Sequence, residues 1–183
     1  AGVFTILSLP LAGGLPLRLV RTTTEGAGAR TLSLAWGVCV VSGLARGVDA
    51  AAHRGALEAG GATIAVLGCG VDRPWPAGPL AERVARDGLL VSEFAPGVGP
   101  RRHHFPLRNR ILAALADGVL VVEAARASGS LITARWAADQ GQTVFALPGR
   151  VDHPMARGTL RLMREGATPV GSARMLLEDL YGD

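Results

Sequence analysis

The chain reads as an α/β protein built on a doubly wound, mostly parallel sheet with helices on both faces. Two observations predict this. Short runs rich in β-branched residues show no polar alternation, which marks strands buried on both faces. Those runs then alternate with amphipathic segments of helical length.

Taken in order, Val38-Cys39-Val40-Val41 predicts a buried strand and Val48 to Ala59 a helix. Thr63 to Leu67 is a strand, Leu80 to Asp87 a helix and Leu89-Leu90-Val91 a strand. A long loop follows from Glu93 to Phe105. Pro106 to Ala116 is a helix, because Pro106 sits where a helix can begin and an apolar run from Ile111 to Leu115 follows. Val119 to Val122 is a strand, Ser130 to Gln140 a helix and Thr143 to Ala146 a strand. Thr159 to Glu165 and Ala173 to Leu180 read as helices around a short Thr168-Pro169-Val170 element. Residues 1–36 are rich in glycine, leucine and threonine and carry no usable periodicity. They are set apart from a domain spanning 37–183.

The chain has 183 residues, enough for one domain that needs no disulfide or metal staple. No uninterrupted apolar run reaches the ~20 residues that span a membrane. The apolar stretch from Val3 to Leu17 is broken by Pro10, Gly13, Gly14 and Pro16, and lacks the basic segment of a secretory signal. Cys39 and Cys69 lie in apolar runs and read as buried free thiols, in keeping with a reducing cytoplasm.

The net charge is +4, with a pI near 10.3, and all 19 basic residues are arginine. Arginine suits bidentate phosphate contacts and stacking on rings, and a high pI is a footprint of nucleic-acid binders. A GC-rich genome would also enrich arginine. Tyrosine and phenylalanine are few, which argues against a broad base-stacking platform.

In a doubly wound sheet, ligands bind beyond the carboxyl ends of the strands, so the loops there carry the functional signal. The densest is Arg101-Arg-His-His-Phe-Pro-Leu-Arg-Asn-Arg110, with four arginines, two histidines and one phenylalanine in ten residues. It reads either as a solvated basic loop or as a surface for a polyanion with flat bases. After the first clear strand, Ser42-Gly43-Leu44-Ala45-Arg46-Gly47-Val48-Asp49 sets an arginine between two glycines. Glycine lets backbone amides approach an anion. Gly68-Cys69-Gly70 follows the next strand, and Trp75 between two prolines reads as a packing wedge rather than a ligand contact. Gly129-Ser130 opens a helix as either an anion site or an ordinary Ser cap. Pro148-Gly149-Arg150 adds a further glycine and arginine after the last strand.

Catalytic signals are poor. Asp49 and His53 stand at i, i+4 and read as a surface ion pair before a dyad. Neither Asp152-His153 nor His103-His104 has zinc-site spacing. No nucleophile elbow, Walker lysine or G-x-G-x-x-G opens a helix. Binding is favoured over chemistry, with no metal and no cofactor.

Ser42 to Asp49, Gly68-Cys-Gly-Val-Asp72, Ser92-Glu93, His104-Phe-Pro-Leu-Arg-Asn-Arg110, Gly129-Ser-Leu-Ile-Thr133 and Pro148-Gly149 occur in order. Together they resemble the DNA-processing protein A family (DprA/Smf), over about residues 37 to 180. The resemblance implies an extended Rossmann-like fold that binds single-stranded DNA in a basic pocket, protects incoming strands in natural transformation and loads the RecA recombinase. It also implies a homodimer joined through the later part of the domain; Leu160, Leu162 and Met163 read either as an apolar contact of that kind or as core. Carried over by motif, Arg46 would hold a phosphate beside Gly43 and Gly47, with Ser42 in the same turn. Arg102 would be a basic DNA-binding residue and Phe105 would contact or stack a base. Arg108, Asn109 and Arg110 would shape the pocket, and Gly129, Ser130 and Thr133 would line its floor.

The chain also departs from that family. Leu19 to Thr23 reads as a degraded version of the family's opening strand and turn, without its glycine, and the following helix reads as short. Trp75 stands where tyrosine is usual. The family's common flanking domains, helical before and winged-helix-like after, are missing from this sequence. The competing reading is a nucleotide-binding or nucleoside-monophosphate-hydrolysing enzyme of the Lonely-guy-like Rossmann group. Those hydrolases carry a catalytic glutamate after a glycine-rich loop. The matching place here, Ala127 to Ala134, has none.

Overall fold

The computed structural model describes residues 2–8 and 38–182. Seven strands form one sheet in the order β4-β3-β2-β1-β5-β6-β7. They are β1 (Gly2–Ser8), β2 (Val38–Ser42), β3 (Ala62–Val66), β4 (Leu89–Val91), β5 (Gly118–Glu123), β6 (Thr143–Ala146) and β7 (Thr168–Pro169). Six helices, α1 (Val48–Glu58), α2 (Pro79–Asp87), α3 (His104–Ala114), α4 (Ser130–Asp139), α5 (Arg157–Arg164) and α6 (Ala173–Tyr181), alternate with the later strands.

The doubly wound expectation holds, and the reason is visible in the side chains of β2. Val38 and Val40 join a cluster with Ala52 and Ala56 of α1 and Leu176 and Leu177 of α6. Cys39 and Val41, one residue out of phase, pack with Leu112 of α3 instead. Both faces of the strand are covered, so neither needs a polar residue. On the α3 and α4 side, Val119 and Val121 of β5 meet Ala113, Ala134 and Ala137. Small alanines there let two helices approach the sheet closely.

One strand departs from the parallel rule. β1 lies at the centre and runs antiparallel to both β2 and β5, pairing Ile6 with Val40 and Phe4 with Leu120. The patterning of residues 1–36 does not predict β1, because the prolines and glycines after Ser8 mask a seven-residue run long enough for a strand. The expected degraded strand at Leu19 to Thr23 lies outside the described residues.

β2 leads outward to β3 and β4, whereas β5 leads outward to β6 and β7. β2 and β5 run the same way on either side of β1, so the loops β2–α1 and β5–α4 emerge together at one end of the sheet. That is the crevice where a doubly wound fold takes its ligand. Helix α3 starts at His104, two residues before Pro106. The proline therefore sits in the first turn, where its missing N–H has no intrahelical partner to lose.

Candidate nucleic-acid interface

The β2–α1 loop is shaped from within. Asp49, in the first turn of α1, is 7% exposed. Its carboxylate accepts the N–H of Gly43 at 3.1 Å and of Ala45 at 3.4 Å. Leu44 adopts a left-handed φ of 60° and buries its side chain. Gly47 has a φ of 94°, which favours glycine, and the loop tip thereby turns the Arg46 side chain into solvent.

Helix α3 supplies the second layer. Arg108 is 4% exposed. Its Nη1 donates to the carbonyl of Gly43 at 3.1 Å and also to that of Val66. One guanidinium thus ties the ends of β2 and β3 together. A Cβ on Gly43 would lie 2.4 Å from Arg108 Nη2, so the guanidinium occupies the space a side chain would need. Burial pushes the Asp49 carboxyl up, while the Arg108 charge and the loop amides pull against that. Burial likewise lowers Arg108, and Asp49 opposes the change. The two ions compensate each other inside the fold.

Asn109 extends the brace. Its side-chain Oδ1 accepts from Arg108 Nε at 3.3 Å, and its Nδ2 donates to the Gly129 carbonyl at 3.3 Å. Neighbouring residues of α3 therefore hold both loops of the crevice. In the β5–α4 turn the Ser130 N–H meets Ser128 Oγ at 3.2 Å, and the Leu131 N–H donates to the Ser128 carbonyl at 3.1 Å. These α4 amides serve the turn itself.

A cavity of about 260 Å³ opens between these elements. Gly43, Arg108, Asn109, Gly129, Ser130 and Thr133 line it, together with Ala45, Asp49, Leu112 and Ser128. Two rings form the remaining wall. Phe105 and Trp75 lie with centroids 5.3 Å apart and planes tilted by 45°. Phe105 rests on Gly68, where a Cβ would come within 2.9 Å of its ring. His104 beside it is buried, donates Nδ1–H to the Gly68 carbonyl at 3.0 Å and stacks on Phe94 with centroids 4.1 Å apart.

The expected residues divide into groups. Gly43, Phe105, Arg108, Asn109, Gly129, Ser130 and Thr133 converge on the cavity, and Ser42 is buried and does not line it. Arg46 and Gly47 stand at the exposed loop tip and Arg102 in the exposed turn before α3. Arg46 and Arg102 pair with no carboxylate among the described residues. Arg110 turns instead to an ion pair with Glu93. Asp49 and Trp75 complete the lining, although the sequence suggests an ion-pair role for one and a wedge for the other. For Trp75 the available signal was its place just beyond a strand end, in a loop that opens with Gly68 and Gly70.

The Asp49–His53 ion pair does not form. Asp49 serves the loop, and His53 is fully buried with Nδ1 2.7 Å from Thr63 Oγ1. The Thr63 hydroxyl gives its proton to the Val40 carbonyl at 2.8 Å, so Nδ1 is the donor to Thr63. Burial holds the ring neutral down to about pH 4.

Elsewhere, Leu160, Leu162 and Met163 are half-buried on α5, and Leu162 packs against the α4 cluster. A groove of about 820 Å³ runs between α4 and α5. Among the described residues no three His, Cys, Asp or Glu side chains come together as a metal site, and no helix is long and apolar enough to cross a membrane.

Known proteins resemble most of this chain. The family model for DNA recombination-mediator protein A matches residues 24–181. Protein Smf of Escherichia coli (strain K12) is 48% identical over 147 residues, covering 79% of this chain and 39% of that protein. DNA processing protein DprA of Streptococcus pneumoniae is 46% identical over 142 residues, covering 76% of this chain and 50% of that protein. The chain thus spans two fifths to one half of the length of these relatives. The X-ray structure of the Streptococcus pneumoniae protein superposes with a TM-score of 0.74 at 42% identity, over 79% of this chain and 52% of that one. DNA processing protein A of Helicobacter pylori, studied for its single-stranded DNA binding mode, gives a TM-score of 0.69 at 32% identity. That match covers 77% of this chain and 66% of that one.

Proposed function

The chain belongs to the DNA recombination-mediator protein A family, and from that premise we propose that it binds single-stranded DNA in the crevice beyond β2 and β5. One observation carries the reading. The wall of a single cavity holds the rings of Phe105 and Trp75, and the unpaired arginines Arg46 and Arg102 stand in the segments that flank it. Arginines neutralise a strand's phosphates and a ring takes a base face, a combination that tolerates any base. The buried Arg108–Asp49 couple leaves the floor without net charge. Attraction then comes from the rim, where it acts on the backbone.

In this reading the protein is a recombination mediator and not an enzyme, and it works in the cytoplasm, where the buried free thiols Cys39 and Cys69 suit reducing conditions. It delivers its strand to RecA and acts as a homodimer through α5. On that helix Leu160 and Met163 are the half-buried candidates for the contact, while Leu162 is engaged with α4. The hydrolase alternative finds little support. Asp49 is the one carboxylate among the cavity-lining residues, and it is committed to two loop amides.

A competition titration tests the proposal. A labelled single strand bound to the chain is challenged with unlabelled single strand, duplex of equal length or AMP. Displacement by single strand at far lower concentration than by duplex or AMP supports it. Preferential displacement by duplex refutes it, and release of free adenine from AMP restores the hydrolase.

A further inference from the structure

We propose that Trp75 is a second base-stacking residue, so that two neighbouring bases of one strand are splayed over Phe105 and Trp75. The inference rests on the cavity being the single-strand site, and adds which part of the strand it grips.

Trp75 is 47% exposed. A tryptophan that served as a packing wedge would bury most of its area. Here about half of the indole stays open on a cavity wall, with Phe105 its one aromatic neighbour among the described residues. The 45° tilt between the rings prevents them from stacking on each other and leaves each a separate face. A base on one ring and its neighbour on the other would be unstacked from each other. A flexible single strand can adopt that step and a duplex cannot.

The loop under Trp75 is held firmly. The Asp72 carboxylate accepts the Gly97 N–H at 2.9 Å. Cys69 Sγ donates to the Arg73 carbonyl at 3.1 Å, and the Gly70 N–H donates to the Val98 carbonyl at 2.8 Å. These bonds anchor the loop from below and leave the indole unburied. A ring presented on a stapled loop loses little freedom when a base covers it.

The test uses oligo(dT) and an identical strand with one central abasic site. In a Trp36→Phe, Trp136→Phe background Trp75 is the remaining indole. Its emission is expected to fall as strand is added, with the midpoint given by anisotropy of a labelled strand. Trp75→Leu is expected to weaken oligo(dT) binding roughly 5- to 150-fold and to shrink the penalty of the abasic site. Trp75→Phe should keep most of the affinity. A loss of packing alone would weaken both strands equally, and that result overturns the proposal. So does an unchanged Trp75 emission on a strand shown to be bound. If the unmutated chain binds no strand, the cavity reading itself fails. If it binds, and only Phe105→Ala and Arg46→Ala weaken it, the cavity stands and the second stack falls.

Discussion

The Arg108 guanidinium donates to the Gly43 carbonyl at 3.1 Å, while Asp49 holds the amide of that same residue. A buried cation and a buried anion thus grip the two ends of one residue, and the loop that carries Arg46 is set by both. Removing one ion strands the other in the interior. Arg108→Met is therefore expected to cost about 3–5 kcal/mol of stability. Urea unfolding measures it, and Arg108→Lys should fall between, since it keeps the charge but not the fork.

Gly43→Ala places a methyl group where Arg108 Nη2 now lies. Overpacking of this kind costs roughly 1–3 kcal/mol. Combined with Arg108→Met, the two losses should add to less than their sum, because the second change removes the atom that clashes. Full additivity in the denaturation midpoints would contradict this contact.

For strand binding, Arg46→Ala and Phe105→Ala are each expected to weaken affinity well beyond Arg174→Ala. Arg174 lies on α6 and is already paired with Glu178. Phe105→Ala should cost roughly 1–3 kcal/mol by anisotropy. Of the arginines expected to touch the strand, Arg108 is buried and Arg110 is held by Glu93, which leaves Arg46 and Arg102 for phosphates. Two such contacts give a log–log salt slope of about −1.4 for a single strand.

The His53 ring bears on pH. Its folded pKa is about 4, below the 6.5 of an exposed histidine. The unfolded chain therefore binds a proton between these values that the folded chain refuses, and stability falls as pH drops through that window. The total is about 3 kcal/mol. Unfolding midpoints from pH 7 to 4 should fall less steeply for His53→Leu than for the parent chain, which subtracts the carboxylates common to both.

Much of this arrangement is legible in the residues themselves. The β-branched runs of β2 and β5 announce strands covered on both faces, and Gly43, Phe105 and Gly129 lie at strand ends or helix starts where a ligand crevice forms. What periodicity does not carry is direction. Arg108 and Arg110 stand two apart in a basic run, yet one enters the interior and the other meets Glu93, because α3 turns them to different sides. Asp49 and His53 share a helical face in projection, but the β2–α1 loop claims one and Thr63 the other. Trp75 reads as a wedge because nothing in Pro74-Trp75-Pro76 reveals that its loop is anchored from below. The central β1 escapes notice because an antiparallel strand from the start of the chain belongs to none of the strand–helix units that follow.

The location of the strand can be read directly. A single-stranded oligonucleotide carrying 4-thiothymidine is bound to the chain and irradiated, and the cross-linked peptides are identified by mass spectrometry. The account predicts adducts in the segments bearing Trp75 and Phe105, lost when excess unlabelled strand is present. Adducts confined to α2 or α6, with those two segments unmodified, would contradict it.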